Sequence, residues 1–159
     1  MTMRPWRGTS IAWSTAVAAC ILLAACADEA TTLRSAEPAY TMVFFASGST
    51  SLSKQARQEV SDFVSNPTGP VAVAMKANPP RRICVTGHSD NAGPEAANRE
   101  FGQRRADAVA KYLVELGVPQ DRIATSTLGS SKPLVVTPPN TSETANRRVE
   151  IVVDCPRSP

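Results

Sequence analysis

Residues 83–118, "ICVTGHSDNAGPEAANREFGQRRADAVAKYLVELGV", decide how this chain is read. The segment 82–87, "RICVTG", is β-branched and apolar and predicts a strand. A polar loop follows with the only histidine of the chain, His88, and Asp90 two residues on. Pro94 can open a helical turn, and a long helix is expected from about Asn98 or Gly102 to Leu116. Gly117 suits the left-handed residue that ends such a helix, with Pro119 just beyond.

On a helical wheel at about 100° per residue, Phe101, Val109, Tyr112, Leu113 and Leu116 form one apolar stripe. Arg105 falls inside that stripe. Arg104 falls outside it, near Asp107, Lys111 and Glu115, where a solvated face with pairs four residues apart is the plain reading. A guanidinium in an apolar stripe needs a partner, because burying it unpaired is costly. Helical side chains tilt toward the N-terminus, so Arg105 points back at the loop that carries Asp90. That corner lies at the carboxyl end of a strand and beside a helix start, where amide donors favour anions.

Working outward, "TMVFF" (41–45) predicts a first strand and "ASGSTS" a loop. In 52–65 the residues Leu52, Ala56, Val60, Phe63 and Val64 recur at helical spacing. "NPTGP" breaks that helix, and 71–78 gives a helical turn or two. Downstream, "RIATSTLG" (122–129) predicts a third strand, residues 130–146 a long loop, and 147–155 the last strand. The order β-α-β-α-β-β predicts an α+β domain, its helices packed on one face of a four-stranded mixed sheet.

The residues alone leave three uses of the corner open. Asp90 and Arg105 can be a structural pair. They can clamp a zwitterion, with Asp90 taking an ammonium and Arg105 a carboxylate through its two-pronged donor edge. Or His88 and Asp90 can be catalytic, although no Ser or Cys nucleophile motif accompanies them. One His and one Asp fall short of a metal-ligand set.

The N-terminus sets the compartment. Arg4 and Arg7 precede an apolar run, Ile11–Ala25, of 15 residues. A membrane span needs about 20. A charged start, apolar middle and small-residue end instead predict a signal peptide over 1–25. "LAAC", Leu23–Cys26, is similar to the lipobox of bacterial lipoproteins, which implies acylation of Cys26 and an anchor in the membrane lipid. Residues 27–40 have little apolar content and no period, so 26–40 reads as the lipidated cysteine with its tether. The remaining 134 residues (159 less 25) carry 15 basic and 14 acidic side chains. So balanced a charge excludes nucleic acid as the expected partner.

In this order and spacing, "GHSD", Asn98, "RRA" and "NRRVE" resemble the OmpA-like peptidoglycan-binding domain over roughly residues 41–154. A lipobox followed by this domain alone is similar to the peptidoglycan-associated lipoprotein arrangement. The resemblance implies a non-enzymatic protein without cofactor or metal, held at the outer membrane with its domain (41–155) in the periplasm. It implies binding to the meso-diaminopimelate of peptidoglycan stems through Asp90 and Arg105, with Asn98, Arg147 and Ser89 lining the site and His88 orienting the loop. A periplasmic protein partner is the alternative main ligand. Two acids usual at the pocket rim are replaced here by Ala46 and Gly48, and Ser130 stands where an acid is common. In this family the last strand lies antiparallel beside the second, which would let Cys84 face Cys155 in a disulfide. The alternation of side chains opposes that bridge unless the strand ends or bulges at Asp154.

Overall fold

The structure, a computed structural model, describes residues 39–77 and 81–155. The expected signal peptide, Cys26 and nearly all of the tether lie outside the described residues. Four strands form one sheet: β1 (Tyr40–Phe44), β2 (Ile83–His88), β3 (Ile123–Gly129) and β4 (Arg148–Val153). Their spatial order is β1-β4-β2-β3. β4 runs antiparallel to both β1 and β2, while β2 and β3 are parallel. The sheet is therefore mixed, and the α+β reading holds.

Three helices accompany it: α1 (Lys54–Ser65), α2 (Pro70–Lys76) and α3 (Glu95–Glu115). Ser53 caps α1, its hydroxyl accepting from the Ala56 amide at 3.1 Å. Pro70 sits in the first turn of α2, where its missing N–H costs nothing. The long helix starts at Glu95, earlier than the apolar stripe suggests, because Pro94 stands just outside as its N-cap. It ends as expected at Gly117, which has φ +94°. The Val118 amide donates to the Leu113 carbonyl and the Gly117 amide to that of Val114, the paired bonds of a Schellman turn.

The core lies between the helices and one sheet face. Val43 and Phe45, Ile83 and Val85, and Val149, Ile151 and Val153 bury their alternate positions there. Val60 of α1, Val71 of α2 and Val109 and Leu113 of α3 meet them. Each fully buried aliphatic side chain contributes about 1.5–3 kcal/mol. The closest approach is between α3 and β2. A Cβ built on Gly87 would stand 1.8 Å from the Gly102 carbonyl oxygen, and one on Gly102 would stand 2.3 Å from Thr127 Oγ1. Two glycines thus let the helix carrying Arg105 rest directly on the strand that leads into Asp90.

Cys84 and Cys155 are joined by a disulfide, with Cα atoms 5.9 Å apart. The alternation problem is solved where the sequence says it must be. β4 ends at Val153, and Asp154 turns the chain with φ +66°. The Asp154 amide donates to the Arg82 carbonyl, and Arg81 pairs with its carboxylate at 2.9 Å.

Candidate functional site

At the opposite end of β2 and β4 lies a pocket of about 190 Å³. Ser47, Gly48, Ser89, Asp90, Asn98, Phe101, Arg105 and Arg147 are among its lining residues. All five residues expected at the site are therefore brought together, from two loops and one helix. Gly48 lines the pocket, and Asp90 is the one acid among the described lining residues.

Arg105 is 2 % exposed and seated with care. Its Nε donates to the Ser49 carbonyl at 2.9 Å, and its Nη1 to the His88 carbonyl at 3.1 Å. The rings of Phe45 and Phe101 lie 5.4 and 5.8 Å from its guanidinium carbon, within cation–π range. Burial draws its pKa below the ordinary arginine value; the Asp90 charge opposes that and the Arg147 charge reinforces it. The guanidinium stays protonated.

Of the three uses left open, a structural Asp90–Arg105 pair is not observed. Asp90 pairs with Arg147, whose Nη1 donates to Oδ2 at 2.8 Å. The same Oδ2 accepts from the Ser142 hydroxyl at 2.8 Å and the Glu143 amide at 3.3 Å. Burial alone would raise the Asp90 carboxyl, but the bonds from Arg147 and Ser142 outweigh it and hold the pKa below the usual carboxylate range. Arg147 is fixed further by the Phe45 carbonyl, the Ser142 hydroxyl and the Thr144 hydroxyl. The physical reason is reach. Arg147 enters β4 beside the loop after β2, so its side chain arrives at Asp90 directly. Arg105 is stopped short by the two carbonyls it serves.

This arrangement leaves three polar groups available at the pocket. Among the described residues no carboxylate lies within ion-pairing distance of Arg105, and its Nη2 has no hydrogen-bond partner. Oδ1 of Asp90 receives none of the three bonds that converge on Oδ2. Ser89 is 3 % exposed, and its hydroxyl has no partner among the described residues. Asn98 is buried in the first turn of α3 and donates to the Gly93 carbonyl at 3.2 Å, so it shapes the loop as much as it lines the pocket. Chemically, the corner presents a cation, a carboxylate edge and a hydroxyl, all held rigidly.

Ser142 and Thr144 were not legible as site residues. They sit in the long 130–146 loop, which has no period and no motif. The nearest signal is their position just ahead of Asn146 and Arg147. Asn146 itself folds that loop back, its Oδ1 accepting from the Leu134 and Val135 amides and its Nδ2 donating to the Val135 carbonyl.

His88 does not join Asp90. Its side chain lies on the other face of the sheet, toward Glu150. Arg104 is exposed and pairs with Glu100 rather than with the residues C-terminal to it. A larger groove of about 420 Å³ runs between α3 and β3, but its charged residues, Asp107 and Lys111, are solvent-exposed, so nothing there is organised for a ligand.

Comparison with known proteins finds relatives of this fold. The chain is 44 % identical over 84 residues to the peptidoglycan-binding protein ArfA of Mycobacterium tuberculosis, covering 53 % of this chain and 26 % of that protein. It is 34 % identical over 83 residues to the peptidoglycan-associated lipoprotein of Legionella pneumophila, covering 52 % and 47 % respectively. The chain thus spans about a quarter to a half of the length of these relatives. The crystal structure of the peptidoglycan-associated lipoprotein from Burkholderia pseudomallei superposes with a TM-score of 0.58 at 29 % identity, over 70 % of this chain and 88 % of that one. The C-terminal domain of Helicobacter pylori MotB shares the fold, with a TM-score of 0.58 at 22 % identity, over 73 % and 85 %. The OmpA family model matches residues 44–147, and the chain belongs to the OmpA family.

Proposed function

We propose that this domain binds peptidoglycan non-covalently by clamping the free end of a diaminopimelate residue in the stem peptide. One observation carries the reading. Arg105 is a buried guanidinium with two carbonyls and two rings to hold it and, among the described residues, no carboxylate to neutralise it. Such a group is costly unless an anion completes it. The ligand's carboxylate takes Arg105 Nη2, and its ammonium takes the open Oδ1 of Asp90. Ser89 contributes its unpartnered hydroxyl. Asn98 and Arg147 keep the two poles in place. On this reading the protein is an envelope protein that catalyses no reaction. Acylated Cys26 anchors it to the outer membrane, residues 27–40 tether it, and the domain reaches the wall in the periplasm.

Retention on purified sacculi tests the reading. Wild type is expected to be retained strongly, and Asp90→Ala and Arg105→Ala weakly, with each mutant's fold checked by circular dichroism. Soluble stem peptides, in which the α-amino and α-carboxyl groups of the varied residue are tied up in peptide bonds and only its side-chain end is free, separate the two poles. Diaminopimelate is expected to displace the protein best. 2-Aminopimelate, which keeps the distal carboxylate but lacks the ammonium, should compete better than lysine, which lacks that carboxylate, because Asp90 is already half committed to Arg147. Retention of both mutants at the wild-type level, or lysine competing as well as diaminopimelate, would overturn the assignment.

A further inference from the structure

On the sheet face away from the helices, behind the pocket, sits a second polar cluster made of His88, Arg148 and Glu150. Alternation sets His88 apart from Ser89 and Arg148 apart from Arg147, while Asp90 leaves the His88 face because β2 ends at His88. His88 is 1 % exposed, and neither ring nitrogen has a hydrogen-bond partner among the described residues. Its Nε2 stands 3.6 Å from Glu150 Oε1. That oxygen is already taken by Arg148, through Nε at 2.9 Å and Nη2 at 2.6 Å. Nη2 of Arg148 also reaches the Lys132 carbonyl at 3.4 Å, while its Nη1 has no partner among the described residues. The Lys132 carbonyl is near His88 as well.

Two buried basic side chains therefore face the same two acceptors. A neutral His88 leaves both to Arg148. We propose that His88 makes the grip on the wall pH-sensitive: once protonated, it claims Glu150 Oε1 and the Lys132 carbonyl, and the displaced Arg148 shifts its neighbour Arg147 off Asp90. The event takes up one proton from solvent and breaks no covalent bond. The route to the pocket is short, since the His88 carbonyl also holds Arg105 Nη1 and the β2–β3 register already slips between Gly87 and His88.

The charges around the ring agree with this sense. From β4 come Arg148 and Glu150; from the loop comes the Lys132 carbonyl; β1 brings only Met42 and Phe44 opposite those β4 residues. Burial and then Arg148 hold the imidazole below its ordinary value of 6.5, with Glu150 and Lys132 opposing them. A lowered histidine is neutral in the folded state at neutral pH. The binding form is thus fully present above the ordinary value and is lost as pH falls through the lowered one.

The inference rests on the wall-binding reading, so its test has two arms. His88 is the only histidine in the chain, and its ring protons report its titration by NMR without assignment ambiguity. In the same titration, the amide signals of Ser142 and Arg147 should move with the His88 midpoint, which should lie below 6.5. In the second arm, retention on sacculi is followed between about pH 7.5 and about pH 5. Wild type should lose up to about tenfold in affinity per pH unit below the midpoint, and His88→Gln should not. Glu150→Gln, which removes one acceptor's charge, should lower the midpoint and carry the binding loss with it; it also serves if His88→Gln fails to fold. Parallel losses in wild type and His88→Gln, or a His88 titration that leaves Ser142 and Arg147 unmoved, overturn the proposal. If wild type is retained at no pH, the wall-binding reading is what has failed. The NMR arm then decides the coupling alone, with unmoved amides again overturning it.

Discussion

β2 and β4 are paired from Ile83 opposite Val153 to Gly87 opposite Val149, yet their two ends are held by different chemistry. At one end the Cys84–Cys155 disulfide and the Arg81–Asp154 pair close the strands near solvent. At the other, Asp90 and Arg147 meet through a nearly buried ion pair with Ser142 as a shared third member. The first end fixes register and needs nothing from outside. The second keeps donor and acceptor capacity in reserve. Placing the covalent link far from the pocket lets the pocket carry buried charge without the strands having to be held together there.

The largest expected effect breaks the comparison in the middle. Gly87→Ala pushes a methyl group into the Gly102 carbonyl, a backbone atom that cannot swing away. Overpacking of this kind should reach the top of the usual range, about 3 kcal/mol, and separate α3 from β2. Thermal unfolding followed by circular dichroism reads it, and a melting point unchanged from wild type would mean the helix can ride higher than it does here.

Next comes the disulfide. Replacing Cys84 and Cys155 together by serine should cost about 2–4 kcal/mol, chiefly by freeing the unfolded chain. Denaturant unfolding measures that loss, while sacculus retention at low temperature should stay the same. Loss of retention by a folded double mutant would show that the two ends are not independent. The smallest effect sharpens the contrast. Arg81→Ala removes an exposed pair beside the disulfide, worth under about 1 kcal/mol, and its denaturation midpoint should barely move.

Much of this was legible in the residues, and the limits have physical causes. The stripe on α3 picked out Arg105, because a charge among apolar positions is conspicuous at helical period. Gly117 announced the helix end through the backbone conformation it alone adopts cheaply. The sequence even named the requirement for the disulfide, a strand end at Asp154. The pairing of Asp90 with Arg147 was not legible, because helix tilt gives Arg105 a direction and not a reach. Two carbonyls, those of Ser49 and His88, intercept the Arg105 side chain, and carbonyls leave no mark in a sequence. Ser142 and Thr144 stayed hidden because loops have no period. The cluster behind the pocket was invisible for another reason. His88 and Glu150 are 62 residues apart, and only the sheet order brings them together.

That order has a consequence for how the chain is made. Of the four strands described, β4 comes last along the chain, yet it sits between β1 and β2. Until it arrives, β1 has no neighbour to bond with, and Phe45 cannot offer its carbonyl to Arg147 across 102 residues. Assembly of this sheet is therefore a late, all-at-once event rather than a strand-by-strand one. A chain interrupted ahead of Arg148 would be left with its first strand stranded, open to any quality-control protease.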